Sequence, residues 1–185
     1  FVETIRKYSS VIFFHNYSKG SLHGKYCIYP IEHLSDNLIL NYTNKYKENF
    51  YYGYDYTIIN SATINAGSKK YYDKDYISVT FGGSDPLNIL DYVKITLQTI
   101  SNYMPILVHL GLSYIKDHPD IQRYAHQRIN FIDFNYEYLY GSSGILCTLG
   151  TTVFECIYKK IPVMYISHNS TTDKRGKLLD NITPI

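Results

Sequence analysis

Ile145-Leu146-Cys147-Thr148-Leu149-Gly150-Thr151-Thr152-Val153-Phe154-Glu155, closed by Ile161-Pro162-Val163-Met164-Tyr165-Ile166, is the stretch that decides the fold. An apolar run gives way to a glycine turn. A segment follows that opens with hydroxyls and carries a carboxylate, and then a second apolar run. Short apolar runs bounded by turn residues are strands buried on both faces, and the segment between them has the length of a helix. In an open sheet of parallel strands, ligands sit in the crevice beyond the carboxyl ends of the strands. A helix that starts there offers free backbone N–H groups and the positive end of its dipole to a phosphate. A phosphate-bearing ligand is therefore the first functional expectation.

Working outward, the same alternation runs from Asp75 onward. Strands are predicted over 76–81, 104–110, 129–132, 145–148 and 163–166. Helices are predicted over 87–103, 113–127 (interrupted by Pro119), 136–140, 152–159 and from 172 toward 179. Leu87, Leu90, Val93, Leu97 and Ile100 share one face of the first helix, Asp85 is placed to cap it, and Pro86 suits its first position. The fold class expected is α/β: a Rossmann-like parallel sheet with helices on both faces and right-handed crossovers, together with part of a second α/β domain. In the first part of the chain, 11–14 and 38–40 read as buried strands, with Gly53-Tyr54-Asp55-Tyr56 in a loop beyond them. The polar stretch 61–73 reads as a linker. The expected domains are a remnant of an N-terminal α/β domain over 1–62, a linker over 63–74, and a ligand-binding Rossmann-like domain over 75–185. The chain opens in what reads as the tail of a helix and stops at Pro184-Ile185 without a closing element, so a fragment is expected.

Composition narrows the function classes. A formal charge of +2, with Lys and Arg scattered, argues against nucleic acid or an anionic membrane surface as partner. No apolar run reaches the ~18 residues of a membrane span. Cys27, Cys147 and Cys156 lack metal-ligand spacing and read as free thiols in a reducing cytoplasm. Twenty-two tyrosines without a tryptophan reflect codon bias more than base stacking, because positive charge is not interleaved with them. No metal and no cofactor are expected: there is no His-x-x-x-His pair, no carboxylate cluster, no Walker loop and no dinucleotide fingerprint. No serine sits in a Gly-x-Ser-x-Gly elbow, which argues against a serine hydrolase.

Two glycine turns carry the candidate site, and each has two readings. Thr152-Val153-Phe154-Glu155 fits a capping box, in which Thr and Glu satisfy each other's backbone N–H groups; it equally fits a ligand-binding turn at the crevice. Phe81-Gly82-Gly83-Ser84-Asp85-Pro86 either makes a tight turn or lets backbone approach a phosphate or sugar. His168 and Asn169 follow the last strand at the same edge, where a solvated loop or a sugar contact both fit.

Taken together, Val79-Thr-Phe-Gly-Gly-Ser-Asp-Pro86, Leu149-Gly-Thr-Thr-Val-Phe-Glu155 and Pro162-Val-Met-Tyr-Ile166 resemble the C-terminal half of a GT-B-type nucleotide-sugar enzyme. The resemblance is to the UDP-sugar hydrolase of pseudaminic acid biosynthesis and its spore-coat polysaccharide relatives, and it covers roughly residues 32–180. Asp36-Asn-Leu-Ile-Leu-Asn41 and Gly53-Tyr-Asp-Tyr-Thr-Ile-Ile59 are similar to the end of that family's N-terminal domain. The family implies two Rossmann-like domains facing a cleft, a UDP-sugar as substrate, and water displacing UDP at the anomeric carbon without metal. By the resemblance, Glu155 would take the ribose hydroxyls, and Gly150, Thr151 and Thr152 the diphosphate. Backbone near Ile132 and Phe134 would read uracil, and Gly82, Gly83 and Ser84 would line the sugar side. The base would come from an N-terminal Gly-His loop ahead of Phe1, so no catalytic base is assigned. Leu149 and Ser170 depart from the family pattern of paired glycines and glutamine. A glycosyltransferase using a UDP-sugar donor and a non-catalytic binding or scaffolding module are the alternatives. A cytoplasmic location is expected.

Overall fold

A computed structural model of the chain describes residues 4–5, 7–14, 24–30, 50–85, 87–114, 128–167, 169–170, 172–173, 176–177 and 179. Two compact units emerge, Phe1–Ile58 with Lys174–Ile185, and Ile59–Asp173. Residues 59–74, read from sequence as a domain end and a linker, belong to the second unit. Their polarity is misleading because the polar groups are used. Asn60 caps the short helix α1 (Ser61–Asn65) through the Ala62 N–H, and Thr63 is buried. Lys69 N–H then donates to the Glu137 carbonyl, and Ser68 donates to that of Tyr140.

The first unit contains three parallel strands in the order β1 (Ile12–Phe14), β2 (Tyr26–Tyr29) and β3 (Phe50–Tyr52). Cys27 and Tyr29 form its buried centre, with Tyr29 stacked on Phe50 at 4.9 Å between ring centroids. Neither β2 nor β3 is among the strands expected from the sequence, because Tyr26-Cys27-Ile28-Tyr29 and Phe50-Tyr51-Tyr52 show no alternation of apolar and polar residues. The strand expected at 38–40 lies outside the described residues.

The second unit is a Rossmann-like α/β layer structure. Five parallel strands, β4 (Ile77–Thr80), β5 (Ile106–Leu110), β6 (Ile129–Asp133), β7 (Gly144–Thr148) and β8 (Val163–Ile166), lie in the order β6-β5-β4-β7-β8. The chain thus runs outward from β4 to one edge, crosses back, and continues from β7 to the other edge. Right-handed crossovers then put the connections before and after the reversal on opposite faces of the sheet. Helix α2 (Ile89–Ser101) covers one face, burying Ile89, Leu90 and Leu97 against Val79, Ile106, Val108, Ile129 and Leu146. Helices α3 (Tyr136–Tyr140) and α4 (Thr151–Lys159), which follow β6 and β7, belong to the opposite face.

The expected face of α2 is realised from Leu90 onward, but Leu87 is half exposed and precedes the helix. Asp85 serves α2 from outside it. The positional N-cap is Asn88, in a left-handed conformation and without a side-chain cap. The buried Asp85 carboxylate instead reaches forward to accept from the Ile89 and Leu90 N–H groups at 2.8 and 2.9 Å. Two first-turn donors are satisfied by one carboxylate, which ties the turn before α2 to the helix start.

Candidate functional site

The strand order brings the two glycine turns to one place. β4 and β7 are neighbours, with Thr80 opposite Cys147 in the parallel register, and their connections leave in opposite directions. The turn 81–85 and the turn 149–150 therefore begin about 4.8 Å apart at the reversal of the sheet. Gly82 has φ of +84°, a conformation in which a Cβ is strained. A Cβ on Gly83 would meet open space, but the Gly83 carbonyl accepts the Ser113 N–H at 3.0 Å. A Cβ on Gly111 would lie 2.3 Å from that same carbonyl oxygen. Gly111 is thus the residue that lets the Gly82-Gly83 turn settle against the end of β5, and no local sequence signal reveals it. Ser84 is exposed.

Helix α4 begins at Thr151 with Gly150 as N-cap and no side-chain cap. The capping-box interpretation fails for a geometric reason. Thr152 lies inside the first turn, not ahead of it, so its hydroxyl is not in the N-cap position, and the Val153 N–H donates to the Gly150 carbonyl at 3.2 Å. Helix geometry leaves the N–H groups of Thr151 and Thr152 without an intrahelical acceptor, facing the crevice with the positive dipole end. Thr151 is exposed and Thr152 half-buried.

Glu155, released from capping, is buried and 7% exposed. The Tyr140 hydroxyl donates to its Oε2 at 3.4 Å. Tyr140 has one proton, so the 3.0 Å bond between Tyr140 and Thr63 runs from the Thr63 hydroxyl. A chain of three side chains from α1, α3 and α4 thus sets the carboxylate. Burial first, and then the Glu155 charge, push the Tyr140 phenol upward against a lowering contribution from Thr63. Tyr136 is raised for the same two reasons. Lys159 sits over the Tyr140 ring, 5.6 Å from its centroid, and donates to the Ala66 carbonyl at 2.9 Å. Burial, reinforced by the Glu155 charge, also raises Cys156 to about 12. It raises Cys147 as well, with Cys156 and then Glu155 adding to the effect. Both thiols are free and stay protonated.

Ile132 and Phe134 lie at the other end of the sheet edge. β6 is three strand spacings from β7, about 14 Å. Ile132 pairs with His109. The Phe134 N–H already donates to the Leu110 carbonyl at 2.9 Å, so that donor is occupied by the fold. Rings bridge the gap: Phe134 is edge-on to Tyr136 at 4.8 Å, and Tyr136 lies 5.9 Å from Tyr140, beside Glu155. Asn169 caps the turn after β8, where its side chain accepts the Thr172 N–H at 2.9 Å. His168 lies outside the described residues.

His109 stands on β5 with 2% exposure. The Asn135 N–H donates to its Nδ1 at 3.4 Å, which leaves the ring proton on Nε2 to be given to Ser78 Oγ at 3.1 Å. Desolvation lowers its pKa to about 4. This neutral histidine ties β4, β5 and the start of α3 together.

Among the described residues, no group of three or more His, Cys, Asp or Glu is arranged to hold a metal ion, and no helix is long and apolar enough to cross a membrane. A cavity of about 510 Å³ lies at the amino edge of the sheet, beside Tyr72, Lys74, Asp75, Tyr103, Pro105 and Arg128. It is on the opposite side from the glycine turns, where parallel sheets do not bind their ligands. Comparison with models of known protein families finds no match, and neither does comparison with curated proteins.

Proposed function

We propose that the second unit binds a UDP-sugar at its carboxyl edge and that the protein hydrolyses it, as the resemblance of its motifs implies. The observation that carries this reading is the meeting of both glycine turns on adjacent strands, β4 and β7, at the reversal of strand order. The diphosphate would sit on the Thr151 and Thr152 N–H groups. Glu155, held by Tyr140, would accept from the ribose hydroxyls. The uracil would lie toward β6, along the Phe134–Tyr136 rings, with Gly82, Gly83 and Ser84 beside the sugar. In the reaction, water attacks the anomeric carbon and its surplus proton passes to solvent, the bond from that carbon to the diphosphate oxygen breaks, and UDP leaves with the electron pair. We place this in the cytoplasm, in surface-polysaccharide or nonulosonic acid synthesis. Transfer to a sugar acceptor would use the same donor site.

The test is calorimetric titration of the whole chain with UDP, and with AMP and GDP as controls. Binding selective for UDP is expected. A folded sample that binds all three alike, or none, overturns the uridine assignment.

A further inference from the structure

We propose that the Thr80 hydroxyl is a ligand-binding group, donating to an anionic oxygen held at the N-terminus of α4. This assignment rests on the diphosphate reading above and adds to it a residue from the neighbouring strand. Thr80 is 2% exposed, and its Oγ1 is a buried polar atom without a hydrogen-bond partner among the described residues. Buried hydroxyls are nearly always bonded, so one that is not calls for a physical reason.

The surroundings supply that reason. Strand alternation sets Thr80 on the same face as Ser78, the face to which α3 and α4 belong. The other polar groups on that face are engaged with each other: Ser78 with His109, and Tyr140 with Thr63 and Glu155. Thr80 is the last residue of β4, level with Cys147, just before β7 ends and α4 begins. Its hydroxyl therefore stands at the carboxyl edge, about one strand spacing from the segment that leads into the α4 terminus. That terminus has a glycine N-cap and no side-chain cap of its own.

A phosphate oxygen accepting an α4 N–H would be within the compass of Thr80 as well. It would supply the partner that no described residue provides. Folding alone would favour valine here, because valine has the same shape and β preference and no hydroxyl to desolvate.

Thr80→Val tests this, with Thr80→Ser as the variant that keeps the hydroxyl. Without ligand, Thr80→Val is expected to unfold at the same or a higher urea concentration than wild type. Its affinity for UDP and for inorganic pyrophosphate should fall about tenfold, the effect of one hydrogen bond to a charged group. Uridine should bind both proteins equally, and Thr80→Ser should bind UDP and pyrophosphate like wild type. Unchanged UDP and pyrophosphate affinities in Thr80→Val would overturn the assignment and leave the UDP reading standing. Loss of stability or failure to fold in Thr80→Val would show that the hydroxyl serves the fold, and would also overturn it. Pyrophosphate binding that depends on Thr80, without preference for UDP over GDP and AMP, would sustain the assignment and remove uridine. A wild-type protein that binds neither UDP nor pyrophosphate would overturn both.

Discussion

Acidification should destabilise this protein through His109. The imidazole is buried between Ser78 and the Asn135 N–H, and desolvation lowers its pKa from 6.5 to about 4. Protonation would also turn Nδ1 into a donor facing another donor. The sign follows from linkage. The unfolded chain takes up the proton as pH falls through 6.5, and the folded chain resists until about 4. The contribution of the neutral histidine is whole above pH 6.5 and is lost progressively as pH falls toward 4. At about 1.4 kcal/mol per tenfold change, the loss amounts to about 3 kcal/mol, a large part of the stability of a small domain. Urea unfolding followed by far-UV circular dichroism across this range measures it, with His109→Gln as the comparison. Every other ionisable group is common to both proteins. The difference between the two stability curves should therefore shrink by about 3 kcal/mol on acidification. Parallel curves would mean that His109 is solvated in the folded state, and would refute the packing of β4 against β5 described above.

Three further outcomes are expected. Glu155→Gln should weaken UDP binding in calorimetry by about 1.5–3 kcal/mol, while the start of α4, capped by Gly150 and not by this side chain, stays intact by circular dichroism; unchanged affinity would return Glu155 to a purely structural role. Gly111→Ala should weaken both stability and UDP binding, because the new Cβ meets the Gly83 backbone at 2.3 to 2.5 Å. Gly83→Ala, with open space at its Cβ, should change stability by less than about 0.5 kcal/mol, and equal effects for the two variants in paired urea titrations would contradict this loop geometry. Asp85→Ala should cost about 2 kcal/mol by leaving the Ile89 and Leu90 N–H groups without their acceptor, and Asp85→Asn should cost less; a neutral Asp85→Ala in thermal unfolding would show that the cap does not form.

Much of the sheet was legible because its strands are short apolar runs punctuated by glycine and proline. That pattern survives without knowledge of neighbours: 145–148 and 163–166 were located within a residue of β7 and β8. Local chemistry was also enough to place Asp85 before α2, since a carboxylate ahead of a helix has few other uses. It was not enough to show that the carboxylate reaches Ile89 and Leu90 from outside the cap position, because that depends on the left-handed turns at Asp85 and Asn88. The choice between capping box and ligand turn at Thr152 could not be made locally either. The box needs its N-cap at Thr152, the N-cap lies two residues earlier, at Gly150, and sequence does not resolve helix ends that finely.

By itself, then, the order of apolar runs and turn residues determined an α/β chain with a glycine turn after each of two central strands. Hydrophobic period and backbone permission are local properties, and they are written in consecutive residues. Only the tertiary structure decided that β4 and β7 are neighbours, that Tyr140 and Thr63 set the Glu155 carboxylate, that Gly111 admits the Gly83 backbone, and that the Thr80 hydroxyl has no partner among the described residues. Each of these depends on groups far apart in the chain meeting at hydrogen-bond or van der Waals distance, and no local pattern encodes such a meeting.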